Sequence, residues 1–120
     1  MEYVVAKSGG KITIDQSFIG RNSVIVAMQE IYIQKHCQIS EMVVIRDQDH
    51  KYDTYEIPVA NQGFIIKPIQ VGRNSWLGSK VTVLKGVRIG ENVVIGANAV
   101  VTKDIPSKSI FAGIPAKSLN

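Results

Sequence analysis

Residues 71–106 read VGRNSW LGSKVT VLKGVR IGENVV IGANAV VTKDIP, six units of six residues without a gap. The first position is Val71, Leu77, Val83, Ile89, Ile95 or Val101, aliphatic every time. The second is Gly in four of the six units. The fifth is Ser75, Val81, Val87, Val93, Ala99 or Ile105, small or aliphatic throughout. A helix cannot use this repeat, because six residues advance it by about 600° and move each unit to a new face. A strand can: the first and fifth positions are four apart and point to one side of an extended chain. The fourth position is Asn74, Lys80, Gly86, Asn92, Asn98 or Asp104. Asn, Asp and Gly tolerate left-handed backbone. A corner of that kind every six residues coils the chain into a solenoid of short parallel strands.

The same phase runs through the earlier sequence with defects. Ile19 to Val24 make a clean unit, followed by Ile25. After a two-residue slip, Ile33, Ile39 and Ile45 mark first positions, with Cys37 and Val43 at fifth positions. The pattern then vanishes until Val71. Residues 46–69, with Pro58, Asn61, Gly63 and Pro68, read as an excursion from the coil holding one strand between Gly63 and Lys67. The whole chain, 1–120, reads as a single domain. Residues 1–18 give only a weak repeat and are expected to cap one end, and 107–120 to close the other.

Composition narrows the function. The chain has 120 residues, 45% apolar and 20% charged, with a net charge of +4. That is enough for one domain with one core. The charges are interspersed, with no basic stripe carrying aromatics, so nucleic acid is not an expected partner. A modest positive balance suits a small anionic ligand and also an inert surface. The one cysteine, Cys37, makes no internal disulfide and reads as a small buried hydrophobe. The longest apolar run, Val24 to Met28, is far short of a membrane span. The N-terminus lacks a signal-peptide pattern, which makes the cytoplasm the expected location.

Two outward positions stand out. Ser79 and Ala97 are third positions 18 residues apart, so with three units per coil they stack. The other third positions, Arg73, Lys85, Glu91 and Lys103, are all charged. A column of small residues permits close approach of an extended ligand, although exposed sites vary for less. Trp76, the only tryptophan, holds a sixth, outward position. An exposed indole there calls for a ligand or a neighbouring subunit to cover it. Val94 and Val100, also outward, favour the neighbour.

Residues 46–53, RDQDHKYD, admit three readings. Asp47, Asp49, Asp53 and Glu56 suggest the start of a calcium loop, but Lys51 and Tyr52 stand where a carboxylate and the turn glycine belong. Zinc lacks ligands, since His36 and His50 are the only histidines and Cys37 points inward. No metal is expected. A solvated surface loop is the ordinary reading of such a stretch. The third reading is a catalytic loop carrying His50. Imidazole, with an ordinary pKa near about 6.5, suits a general base at neutral pH.

The IGENVVIGANAVV run, the WLGS unit and the closing AGIPAK resemble the hexapeptide-repeat acyltransferases, closest to their sugar and polysaccharide O-acetyltransferase branch. The resemblance covers roughly residues 19–118. It implies an all-β fold, a left-handed parallel β-helix with three units per triangular coil. It also implies a homotrimer with acetyl-CoA lying along the outside of the helix between two subunits. By motif, Trp76 walls the acetyl and acceptor end, and Gly78 and Ser79 lie near the thioester. Ala97 packs on the pantetheine arm, with Thr102 and Lys103 further along. Lys117 meets a phosphate of the nucleotide, where many relatives have Arg. His50, in the polar stretch before WLGS, matches the catalytic base. The backbone N–H of Ser79 is the oxyanion donor candidate. Asp47 or Asp49 would orient His50, and Asp49, Tyr52 and Asp53 would meet the acceptor. His36, at a coil corner, is expected to be dispensable.

The expected activity is therefore acetyl transfer from acetyl-CoA to a hydroxyl of a sugar or polysaccharide precursor. Direct attack in a ternary complex needs no covalent enzyme intermediate. The alternatives are a different acceptor on the same fold (serine, a nucleotide-linked amino sugar or an antibiotic) and a non-catalytic β-helix used for binding.

Overall fold

The computed structural model describes every residue, Met1–Asn120. The chain winds as a left-handed parallel β-helix of triangular coils. The first coil comprises β1 (Tyr3–Ala6), β2 (Lys11–Ile14) and β3 (Phe18–Ile19). The second comprises β4 (Val24–Ala27), β5 (Glu30–Ile33) and β6 (Gln38–Ile39). The third starts with β7 (Val44–Arg46) and is interrupted by β8 (Gln48–His50) and β9 (Phe64–Ile66), which pair antiparallel. It resumes with β10 (Ile69–Val71) and β11 (Trp76–Leu77). Next come β12 (Thr82–Val83), β13 (Arg88–Ile89) and β14 (Val94–Ile95), then β15 (Val100–Val101), β16 (Ile110–Ala112) and β17 (Lys117–Ser118).

Three faces result. Face A stacks β1, β4, β7, β12 and β15. Face B stacks β2, β5, β10 and β13, and face C stacks β3, β6, β11, β14 and β16. All these pairs are parallel; at the end of face C, β17 folds back antiparallel on β16. Residues 1–18, expected as a cap, thus contain two four-residue strands that stack on β4 and β5. No helix is long and apolar enough to cross a membrane.

The core follows the repeat. Every first and fifth position from Val71 to Ile105 is buried, as are Ile33, Cys37, Ile39, Val43 and Ile45. Buried Ser75 remains satisfied, donating to the Gly90 carbonyl at 3.0 Å and accepting from the Val93 N–H at 3.2 Å. Burial pushes the Cys37 thiol above its ordinary pKa.

The corners fall where the fourth positions predict, with one exception. Asn74, Lys80, Gly86, Asn92 and Asn98 have φ between 56° and 78°. Asp104 does not; the left-handed residue comes later, at Lys108 with φ 58°. The reason is a shorter last coil: Val94 pairs with Ile110, sixteen positions on, whereas Trp76 pairs with Val94 at eighteen. Asp104 instead accepts the Arg88 N–H at 2.8 Å, and Ile105 contributes an isolated bridge to Ile89. The slip near Ala27 is the opposite case, a longer coil, with Val24 pairing to Val44 twenty positions on.

The excursion leaves at the corner between faces A and B. It holds two strands rather than the single one expected, with a 3-10 turn at Val59–Asn61 near its tip. Asp47 roots it. Its fully buried carboxylate accepts the N–H groups of Met28, Gln29 and Glu30 at 2.8, 2.8 and 2.9 Å.

Candidate active site

Register places the small column directly. Leu77 pairs with Ile95, and the Asn98 N–H donates to the Ser79 carbonyl at 2.9 Å, so Ser79 and Ala97 are neighbours in successive coils. They lie at the corner between faces C and A. Gly78 is packed against that backbone: a Cβ there would sit 2.7 Å from Ala97 N and 2.9 Å from Ile95 O. Only glycine lets the two coils approach this closely. Trp76 lies on adjoining face C, 54% exposed, its indole N–H donating to Ser40 Oγ at 3.2 Å. Outward on the same face, in register with it, are Val94, Ile110 and, two coils back, Phe18.

Below Ser79 on that corner stands Glu41, which the sequence did not single out. Ser79 Oγ donates to the Glu41 carboxylate, and this bond holds the Glu41 carboxyl below its usual range.

His50 is elsewhere. It ends β8, exposed, with its ring 4.7 Å from the Phe64 ring of β9. It borders a cleft of about 660 Å³ at the corner between faces A and B. Neither aspartate expected to orient it is bonded to it. Asp47 is committed to three backbone amides, and Asp49 Oδ2 lies 2.8 Å from Lys85 Nζ. Tyr52 and Asp53 are exposed further along the hairpin, where the Asp53 N–H donates to Gln62 Oε1 at 2.7 Å. Thr102 and Lys103, exposed just after β15, stack over Leu84 and Lys85 at this second corner. Lys117 is exposed on β17.

Most of the residues read from the sequence therefore divide between two edges of one prism, with Trp76 on face C, Lys117 on β17, and Tyr52 and Asp53 out on the hairpin. Gly78, Ser79 and Ala97 occupy the C–A corner. His50, Asp49, Thr102 and Lys103 occupy the A–B corner. Face A separates them.

Comparison with known proteins agrees with this architecture. The family model for bacterial transferase hexapeptide, six repeats, matches residues 68–103. A probable acetyltransferase of Mycobacterium tuberculosis is 39% identical over 103 residues, 86% of this chain and 34% of that protein. The crystal structure of a hexapeptide-repeat acetyltransferase from Vibrio cholerae superposes with a TM-score of 0.86 at 31% identity, over 99% of this chain and 69% of that one. A galactoside acetyltransferase in complex with coenzyme A matches at a TM-score of 0.61 and 27% identity, over 91% of this chain and 64% of the other. The chain belongs to the hexapeptide-repeat acetyltransferases, a family of acyltransferase enzymes. It spans about a third of the length of the mycobacterial relative.

Proposed function

We propose that the protein is an acetyl-CoA-dependent O-acetyltransferase acting on a hydroxyl of a sugar or polysaccharide precursor. The observation that carries this reading is the close-packed column of Gly78, Ser79 and Ala97, a smooth track with its N–H groups at a coil corner. The galactoside acetyltransferase with bound coenzyme A supports the choice of donor.

In this reading His50 is the general base. It takes the acceptor hydroxyl proton as the oxygen attacks the thioester carbonyl. The new C–O bond forms, the C–S bond breaks, and the CoA thiolate leaves. The Ser79 N–H faces the oxyanion, and proximity of the two substrates supplies much of the rate. His50 and Ser79 lie on different corners, so the complete site is built between chains. The C–A corner of one subunit meets the A–B corner of the next in a homotrimer, and the exposed Trp76 and Phe18 of face C lie beside that seam. Lys117 contacts the CoA nucleotide. The reaction belongs to the cytoplasm, where acetyl-CoA is the donor.

The test is direct. Coenzyme A should quench the fluorescence of Trp76, the single reporter, and a panel of sugar acceptors should release free thiol from acetyl-CoA. No quenching at millimolar coenzyme A would reject the reading.

A further inference from the structure

The cleft beside His50 has a charge pattern that bears on the acceptor. Lys7, from the β1–β2 corner, and Arg46, at the end of β7, both line it with His50. Neither Lys7 nor Arg46 forms an ion pair. The acidic residue on the rim, Asp49, is already neutralised by Lys85 at 2.8 Å. The cleft thus presents two uncompensated cations next to the histidine. Gln48, only 8% exposed, also lines its edge. Phe64 supplies an apolar wall behind the imidazole. Two unpaired cations and an aromatic wall around one base describe a site for a hydroxylated anion.

We propose that this cleft is the acceptor subsite and that the acceptor carries a carboxylate or phosphate group. Lys7 and Arg46 hold that group while a neighbouring hydroxyl faces His50. The inference rests on the acetyltransferase reading and adds the charge class of the acceptor. Arg46 is the stronger determinant, because its planar fork can grip an oxyanion with two parallel bonds and Lys7 offers a point charge.

The experiment uses the full chain with acetyl-CoA and three acceptors of one ring type: glucuronic acid, glucose 6-phosphate and glucose. Thiol release gives kcat/KM for each. One of the two anions should exceed glucose by tenfold or more, and which one identifies carboxylate or phosphate as the recognised group. Arg46→Gln and Lys7→Gln, both exposed substitutions, should each shrink that ratio at least threefold and leave quenching of Trp76 by coenzyme A unchanged. Glucose turning over as well as the anions, or the ratio surviving both substitutions, overturns the proposal. So does turnover of none of the three while coenzyme A still quenches Trp76, an outcome that leaves the acetyltransferase reading standing. Absence of quenching removes both.

Discussion

Lys85 Nζ lies 2.8 Å from Asp49 Oδ2 and ties the hairpin strand that carries His50 to the next coil of the helix. Both side chains are partly shielded, at 25% and 45% exposure, so the pair is screened less than a fully exposed one. In the proposed mechanism Lys85 is a positioning residue for His50. Lys85→Met should lower kcat by about three- to tenfold with little change in KM for acetyl-CoA. Lys85→Arg should restore most of the loss. An equal fall in kcat for the Arg and Met variants would refute a charge-based strut.

Asp47 anchors the same hairpin from its other side. Three backbone amides lose their partner in Asp47→Ala, and leaving them buried and unpaired costs about 3 kcal/mol or more. Urea unfolding should register this loss, and Asp47→Asn should recover part of it. A variant as stable as the parent would show that water replaces the carboxylate.

His50→Ala should reduce acetyl transfer by about two orders of magnitude or more, the usual contribution of a general base. Coenzyme A binding should persist. His36, exposed at a corner with φ 65°, is the comparison: His36→Asn keeps the left-handed preference and should retain activity. Near-normal turnover by the His50 variant would remove it from the mechanism.

Gly78→Ala drives a methyl into the Ala97 backbone, at 2.7 Å from its nitrogen. The coils must part locally, at about 2 kcal/mol. Thermal stability and coenzyme A affinity should fall together, since the same backbone forms the proposed track. A fall in stability with unaltered affinity would place the ligand elsewhere.

The Cys37 thiol is buried and its pKa is raised by that burial. Native protein at pH 8 should resist maleimide and react fully in denaturant. The folded state holds this proton to higher pH than the unfolded chain does. Its stabilising contribution is therefore complete below the ordinary thiol value of 9.0 and is lost as pH rises toward the folded value. Unfolding free energy should decline more steeply above pH 9 for the parent than for Cys37→Val.

Periodicity alone carried much of the architecture. Aliphatic residues at first and fifth positions, with Asn or Gly at the fourth, leave an extended chain one way to bury its apolar side. That logic is local, and it located the core, five of the six corners and the Ser79–Ala97 column. It missed Asp104 because Val94–Ile110 closes a shorter coil. It also read RDQDHKYD as a loop, although its second half of the hairpin, Phe64–Ile66, was legible as a strand.

Which charged residues meet across the coils had to come from the folded chain. A six-residue period assigns a residue to a corner only while every coil has equal length. The long second coil and the inserted hairpin break that count. Glu41 therefore reaches Ser79 across 38 positions, and Asp49 reaches Lys85 across 36. Thirty-eight is not a multiple of six, and thirty-six is two full coils by the repeat count although Asp49 and Lys85 lie only one coil apart. The carboxylates of RDQDHKYD looked alike in one dimension. Packing gave one to three backbone amides and one to a lysine, and left His50 free beside a cationic cleft.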